Sequence, residues 1–460
     1  MKTVVKEHIE EVRNGNVNIK EFIQEVVERS QRIQKKYAPF ITLIEKPATA
    51  GNGIIDSLPI SVKDSICTKG IMTTAGSKIL EGYVPPFDAT SVANAKGDGG
   101  IIIGKTALDE FGFGTFSVNC AYGIPKNPHD TTRSCGGSSG GAACLTAAAD
   151  FPHVAIAQST GGSITAPAAF TGTVGITPTY GRVSRYGLID YSNSMDKIGT
   201  IGKTVYDASL LLSSISGYDK LDSTSAEIVK EDFTSFDAID GVRIGIPKEY
   251  FSEGVDRRVA KEVRSGIERL ESLGATCEEM SLPMTDYGIA SYYITAISEA
   301  STNLARYCGL RYGMQKDVEG DFDAYFSSIR STGFGQEAKR RIILGTYARM
   351  AGFRDAYYIK ALRIRTKIIN EFAGAFKRFD VLIAPSMPII APTFSEIASL
   401  SPVKAYGMDV LTVPPNMAGI PHVSVPVGKV DSMPVGMQVM AAHFKESNAI
   451  RVAAAMEGAA

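Results

Sequence analysis

The chain has no surplus of positive charge: 48 Lys and Arg stand against 49 Asp and Glu in 460 residues. A protein built to grip a polyanion needs that surplus, so nucleic-acid binding as the main task of the chain is excluded. No apolar run reaches the ~18–20 residues that cross a bilayer. The start, MKTVVKEHIEEVRNG, is too charged for a signal peptide, which needs an apolar stretch after a basic start. A cytoplasmic protein with no membrane segment is expected. The six cysteines (Cys67, Cys120, Cys135, Cys144, Cys277, Cys308) contain no CxxC pair, so free thiols are expected. The five histidines (His8, His129, His153, His422, His443) show neither HxxxH nor HExxH spacing, so no metal site is expected. None lies close in sequence to a candidate nucleophile, and nothing announces a Ser-His-Asp triad. A Pro/Ser-rich linker and internal repeats are also missing. A single domain over residues 1–460 is therefore expected, with its weakest point at the surface connection Asp232–Asp240.

What is present is a β-α-β rhythm. Residues 5–35 read as one charged amphipathic helix, within an N-terminal helical segment of about 1–45. LPISVKDS (58–65) alternates like a strand, Ala89–Lys96 reads as a helix and GIIIGKT (100–106) as a short buried strand. VRIGIP (242–247), Asp256–Leu273 and TCEEM (276–280) repeat the pattern, and DVLIAP, HVSVPV and VGMQVMA add strands at 380–385, 422–427 and 435–441. Residues 286–378 read as a helical insertion. This order favours an α/β fold, with a mixed, largely parallel central sheet covered by helices on both faces.

Glycine is concentrated: 17 of the 45 glycines lie in residues 97–187. Within that region the 48 residues 134–181 carry a single charge, Asp150, and two motifs that set serine beside paired glycines, GGSSGG (136–141) and STGGS (159–163). Paired glycines let a backbone turn its N–H groups inward and let a substrate approach without Cβ clashes. A serine nucleophile needs that nest for its oxyanion. Such loops also serve as plain turns or phosphate cradles, although the phosphate-loop pattern GxxxxGK(S/T) is absent. Lys63, within LPISVKDS, would become a competent base if buried without an acid, because burial lowers its pKa.

Together LPISVKDS, GGSSGG and STGGSITAPAAFTGTVGITPTYG resemble the amidase signature family. Carried over by position, the resemblance makes Ser163 the nucleophile, Ser138 a bridging serine held in a cis peptide, and Lys63 the base. The amides of Thr160, Gly161, Gly162 and Ser163 form its oxyanion hole. The resemblance implies that family's fold, with a signature core at about 55–225. Further segments, among them VPPFDATSV (84–92), GRVSRYGLIDYSNSMDKIG (181–199), FGQEAKRRIILGTYARMAGFRDAYY (334–358) and VLTVPPNMAGIPHVSVPVG (410–428), resemble one branch, the glutaminase subunits of tRNA-dependent amidotransferases. That branch implies glutamine as substrate and ammonia delivered to a partner. The partners are an amidotransferase B subunit, where ATP and Mg are bound, and a small C subunit, with mischarged tRNA held mainly by the partner and no cofactor in this chain. It also implies glutamine anchors: Arg341 for the α-carboxylate, with Arg340 as the second choice, Asp409 for the α-ammonium, and Tyr293 lining the pocket. A stand-alone amidase for small amides is the alternative. The chain departs from the family's usual DTGGSIR by carrying STGGSIT. Ser159 and Thr165 replace an acid and a base together, and losing both members of a pair can be neutral.

Overall fold

The computed structural model describes residues 4–48, 52–317 and 320–459. Its helices are α1 (Val4–Arg13), α2 (Ile19–Tyr37), α3 (Thr90–Gly97), α4 (Gly140–Ala148), α5 (Thr165–Thr171), α6 (Val205–Ile215), α7 (Arg257–Ser272), α8 (Gly288–Asn303), α9 (Phe322–Gly333), α10 (Gln336–Arg349), α11 (Lys360–Ala375), α12 (Phe394–Ala398), α13 (Pro402–Gly407), α14 (Val413–Ala418) and α15 (Glu446–Gly458). Its strands are β1 (Phe40–Leu43), β2 (Pro59–Lys63), β3 (Ile101–Thr106), β4 (Val154–Ser159), β5 (Val174–Thr177), β6 (Lys197–Gly202), β7 (Arg243–Pro247), β8 (Thr276–Met280), β9 (Val381–Pro385), β10 (His422–Val430) and β11 (Met433–Ala441). All eleven form one sheet in the order β1-β3-β2-β4-β6-β5-β10-β11-β9-β7-β8.

The sheet is mixed, as the β-α-β rhythm implies, but not largely parallel. Parallel pairing is confined to β3-β2-β4 and to β9-β7-β8. The strands between and beyond them pair antiparallel. β10 and β11 form a hairpin, and β6, reached from β5 through residues 178–196, inserts antiparallel between β4 and β5. Helices cover both faces. On β3, Ile101 and Ile103 join a cluster with Val26 of α2 and Leu145 of α4, while Ile102 joins the main core on the other face. On β11 a methyl group at Gly436 would meet Ala169 of α5, whereas Met437 lies against Gly266 of α7. Each fully buried Ile or Val of these strands contributes roughly 1.5–3 kcal/mol of transfer free energy.

The N-terminal helix of residues 5–35 is in fact two helices. Gly15 adopts φ 74°, and Asn18 caps α2 by accepting from the N–H groups of Lys20 and Glu21. Asn and Gly at this spacing stop one helix and start the next. The six cysteines are free thiols. Among the described residues no helix is long and apolar enough to cross a membrane.

Two features of the sheet position the site. Lys63 ends β2 and Ser159 ends β4, so the loops that follow emerge side by side from parallel strands. This is where α/β sheets characteristically place ligands. The loop after β4 turns through Gly161 and Gly162 into α5, and the loop carrying Ser138 runs directly into α4.

Candidate active site

Lys63, Ser138 and Ser163 converge at these loops. Lys63 is fully buried. Its Nζ lies 2.8 Å from Ser138 Oγ, 2.8 Å from the backbone oxygen of Gln158 and 3.0 Å from Gln158 Oε1. It has no carboxylate against it, because the neighbouring Asp64 pairs instead with the buried Lys105 at 3.4 Å. Burial therefore pulls the Lys63 pKa down to about 7, against the more distant charges of Asp109 and Asp196, which raise it. The Gly137–Ser138 peptide is cis. The loop is held by Asp109, whose carboxylate accepts from the N–H groups of Ser117 and Asn119, and by Ser117, whose hydroxyl donates to the Ser138 carbonyl at 3.4 Å.

Ser163 is tied to this loop by its carbonyl, which accepts from the Ser139 N–H at 3.2 Å. Its hydroxyl makes no hydrogen bond within the described residues, and Ser163 lines a small pocket. Gly112, Gly114, Gly161, Tyr293, Arg341 and Asp409 line that pocket with it. Two devices hold the Gly161–Gly162 turn. Thr412 Oγ1 donates to the Gly161 carbonyl at 2.8 Å. Gly162 has φ +146°, and a Cβ there would lie 2.2 Å from Thr412 Oγ1. Gly162→Ala is thus expected to lose at least about 10²-fold in turnover, because a misplaced oxyanion donor costs that much; a steady-state assay of the purified variant checks it.

The amides of Thr160, Gly161 and Ser163 have no acceptor among the described residues. The Gly162 N–H, expected among the oxyanion donors, is already bonded to Ser159 Oγ at 3.1 Å. Ser159 in turn donates to Asn416 Oδ1 at 3.3 Å. The serine that stands where the family usually carries an acid thus engages that amide, while Thr165 Oγ1 is buried without a partner. Neither replacement leaves an unpaired charge.

The charged residues of the pocket sit on the C-terminal half of the chain. On α10, Arg341 shares the buried face with Ala338, Gly345 and Ala348, at helical offsets of three, four and seven. Arg340, one residue back and about 100° round the helix, is exposed and pairs with Glu337. Of the two arginines, Arg341 is the one that lines the pocket. Its Nε donates to Glu337 Oε1 at 2.8 Å and its Nη1 to Tyr191 Oη at 2.6 Å. The guanidinium is boxed by the rings of Phe113, Tyr293, Tyr406 and Tyr191, at 5.0, 5.2, 5.3 and 5.6 Å. Asp409 Oδ2 accepts from Thr115 Oγ1 and Tyr293 Oη, both at 2.9 Å. Burial raises its pKa to about 7, partly offset by those hydroxyls and by Arg341.

Several residues of the site carried no signal in the sequence. Gln158, Asp196, Asp109, Thr115, Tyr191 and Tyr406 come together only through the fold. Glu337 was accessible, since it stands four residues before Arg341 on a helix, the spacing of an ion pair. Among the described residues no group of three or more His, Cys, Asp or Glu side chains is placed to hold a metal ion.

A family model described as Amidase matches residues 4–450. The glutamyl-tRNA(Gln) amidotransferase A subunit of Halothermothrix orenii is 44% identical over 456 residues, covering 97% of this chain and 95% of its own. The protein of the same name from Lacticaseibacillus paracasei is 45% identical over 470 residues, covering 99% and 96%. The crystal structure of the glutamyl-tRNA(Gln) amidotransferase A subunit from Thermotoga maritima superposes with a TM-score of 0.83 at 34% identity, over 99% of this chain and 94% of that one.

Proposed function

This chain belongs to the amidase family, and we propose that it is the glutaminase subunit of a tRNA-dependent amidotransferase. One observation carries the reading: Arg341 and Asp409 line the same pocket as Ser163. A guanidinium fork fits an α-carboxylate and a carboxylate fits an α-ammonium. Together they select an amide that carries an amino-acid head, which glutamine does and a simple amide does not. A stand-alone amidase for small amides has no use for both.

In this reading Ser163 Oγ attacks the glutamine side-chain amide carbon. Its proton passes to Ser138 Oγ as the Ser138 proton passes to Lys63 Nζ. The N–H groups of Thr160, Gly161 and Ser163 face the oxyanion, with Gly162 joining if its bond to Ser159 yields. The C–N bond then breaks, the proton on Lys63 returns through Ser138 to the leaving nitrogen, and ammonia departs. Water attacks the Ser163 ester by the same relay in reverse and releases glutamate. No hydrogen bond joins the Ser138 and Ser163 hydroxyls among the described residues, and such contacts commonly tighten only with substrate bound.

The ammonia serves the conversion of Glu-tRNA(Gln) or Asp-tRNA(Asn) to the amidated form. ATP, Mg and the mischarged tRNA belong to an amidotransferase B subunit, with a small C subunit completing a cytoplasmic assembly. The balanced charge of this chain, 48 against 49, suits a subunit that leaves the polyanion to its partner.

The test is co-purification from the native host followed by glutamine hydrolysis with and without the associated subunits. Glutamine should be cleaved by the assembly; faster turnover, without partners, of amides lacking an amino-acid head would overturn the proposal. The pH dependence follows from the site. Lys63 accepts a proton only when neutral, so kcat should rise with pH to about 7 and level above it. Asp409 must be ionised to hold the ammonium and is also raised to about 7, so kcat/KM should fall more steeply than kcat on the acid side.

A further inference from the structure

We infer that Gln158, braced by Asp196, is a positioning residue that aims the lone pair of Lys63 at Ser138. The inference rests on the reading of Lys63 as base and adds a device that fixes the direction of its proton transfer.

Three oxygens surround Lys63 Nζ: the Gln158 carbonyl at 2.8 Å, Gln158 Oε1 at 3.0 Å and Ser138 Oγ at 2.8 Å. The first two can only accept, while a hydroxyl can do either. A neutral amine has two N–H groups and one lone pair. With both N–H groups claimed by the two oxygens of Gln158, the lone pair has one direction left, toward Ser138 Oγ, and Ser138 must then be the donor. One residue thus supplies both acceptors, one from its backbone and one from its side chain.

The arrangement holds only if the Gln158 amide keeps its oxygen toward Lys63. Asp196 enforces this. Gln158 Nε2 donates to Asp196 Oδ1 at 3.1 Å and to Thr160 Oγ1 at 2.8 Å, and the Thr160 hydroxyl donates to Asp196 Oδ1 at 2.6 Å. The other Asp196 oxygen accepts from the N–H groups of Tyr191 and Ser192 at 2.8 and 2.9 Å. A flipped amide would set its oxygen against a carboxylate oxygen in a fully buried site and lose both bonds. The backbone acceptor is pinned too, because the Gln158 carbonyl lies at the end of β4 and also accepts from Ser139 Oγ at 3.1 Å. The charged groups that act on Lys63 are Asp109, from the loop after β3, and Asp196, from the turn before β6.

The experiment measures glutamine hydrolysis against pH in the co-purified assembly, for the wild type, Gln158→Met and Asp196→Asn, with a melting curve for each. Gln158→Met keeps the chain length and removes the Oε1 acceptor. The ammonium loses a partner, so the acid limb of kcat should move to lower pH by about one unit. The freed N–H also lets the lone pair turn from Ser138, so the plateau should fall about 10- to 100-fold with KM within about twofold. A residue with only a structural role would lower the melting temperature and total activity and leave the acid limb in place. Asp196→Asn lets Gln158 flip and should lower the plateau similarly; because losing its charge moves the limb in any case, the plateau is its criterion. A folded Gln158→Met with a wild-type plateau, or with an unmoved acid limb, overturns the inference. If Gln158→Met does not fold, a wild-type plateau in Asp196→Asn overturns it. Ser163→Ala, run alongside, separates the two levels. Hydrolysis by Ser163→Ala defeats the catalytic reading itself. An inactive Ser163→Ala beside wild-type Gln158 behaviour defeats only this inference.

Discussion

Ser163→Ala is expected to remove glutamine hydrolysis, by at least about 10³-fold, the scale on which loss of a serine nucleophile acts. The same variant should leave ammonia-driven amidation by the assembly at the wild-type rate, since nothing in that step uses the Ser163 hydroxyl. Its stability should also stay within about 0.5 kcal/mol of wild type. The reason is local: the hydroxyl makes no hydrogen bond within the described residues, and what binds Ser163 to its neighbours is its carbonyl, which alanine keeps. Ser138→Ala is a useful contrast. Its hydroxyl is one of the three partners of the buried Lys63, so its loss leaves the buried amine short of a hydrogen-bond partner, at about 1–3 kcal/mol. The two serines should therefore separate: both variants lose turnover, and only Ser138→Ala loses stability. Calorimetry of the two proteins together with glutaminase and ammonia-dependent assays checks this. Wild-type glutaminase in Ser163→Ala would remove the nucleophile from the proposal.

The parts of this site that could be read in the sequence are those confined to short segments. GGSSGG and STGGS announced themselves because glycine pairs beside serine are rare and have a physical use. Lys63 was legible through the family resemblance rather than through alternation, which sets it on the face opposite Ile60 and Val62, where a lysine ordinarily meets solvent. The strands at 242–247, 276–280, 380–385, 422–427 and 435–441 were legible because each is a short apolar or alternating run bounded by turn residues. Other elements were hidden. β4 (VAIAQS) and β6 (KIGTIG) are buried on both faces and lack the two-residue alternation that marks a half-exposed strand. The break after α1 depended on a single Gly–Asn turn. The parallel character of the sheet was overstated because periodicity identifies strands but not the direction of their partners. Gln158 is the sharpest case. Nothing in its local sequence distinguishes it from any strand residue, and its importance arises from Lys63, 95 positions away, and Asp196, 38 positions on.

Arg341→Lys should raise the KM for glutamine about 10- to 100-fold with a smaller change in kcat. A lysine restores the charge and not the fork, and a charge-assisted hydrogen bond is worth about 1.5–3 kcal/mol. Arg341→Met should cost stability as well, because Arg341 is the buried partner of Glu337, whose side chain is only 10% exposed. Removing one member of a buried pair costs about 3–5 kcal/mol. The cost here should fall at or below the low end, since Glu337 keeps Arg340 and accepts from Tyr406 Oη at 2.6 Å. Adding Glu337→Gln removes the stranded charge. The double variant Arg341→Met/Glu337→Gln should therefore recover most of the lost melting temperature while its KM stays high. That split distinguishes a guanidinium that binds the substrate carboxylate from one that only completes an internal ion pair. If KM returns together with stability in the double variant, Arg341 acts by holding α10 in place, and the carboxylate must be bound elsewhere.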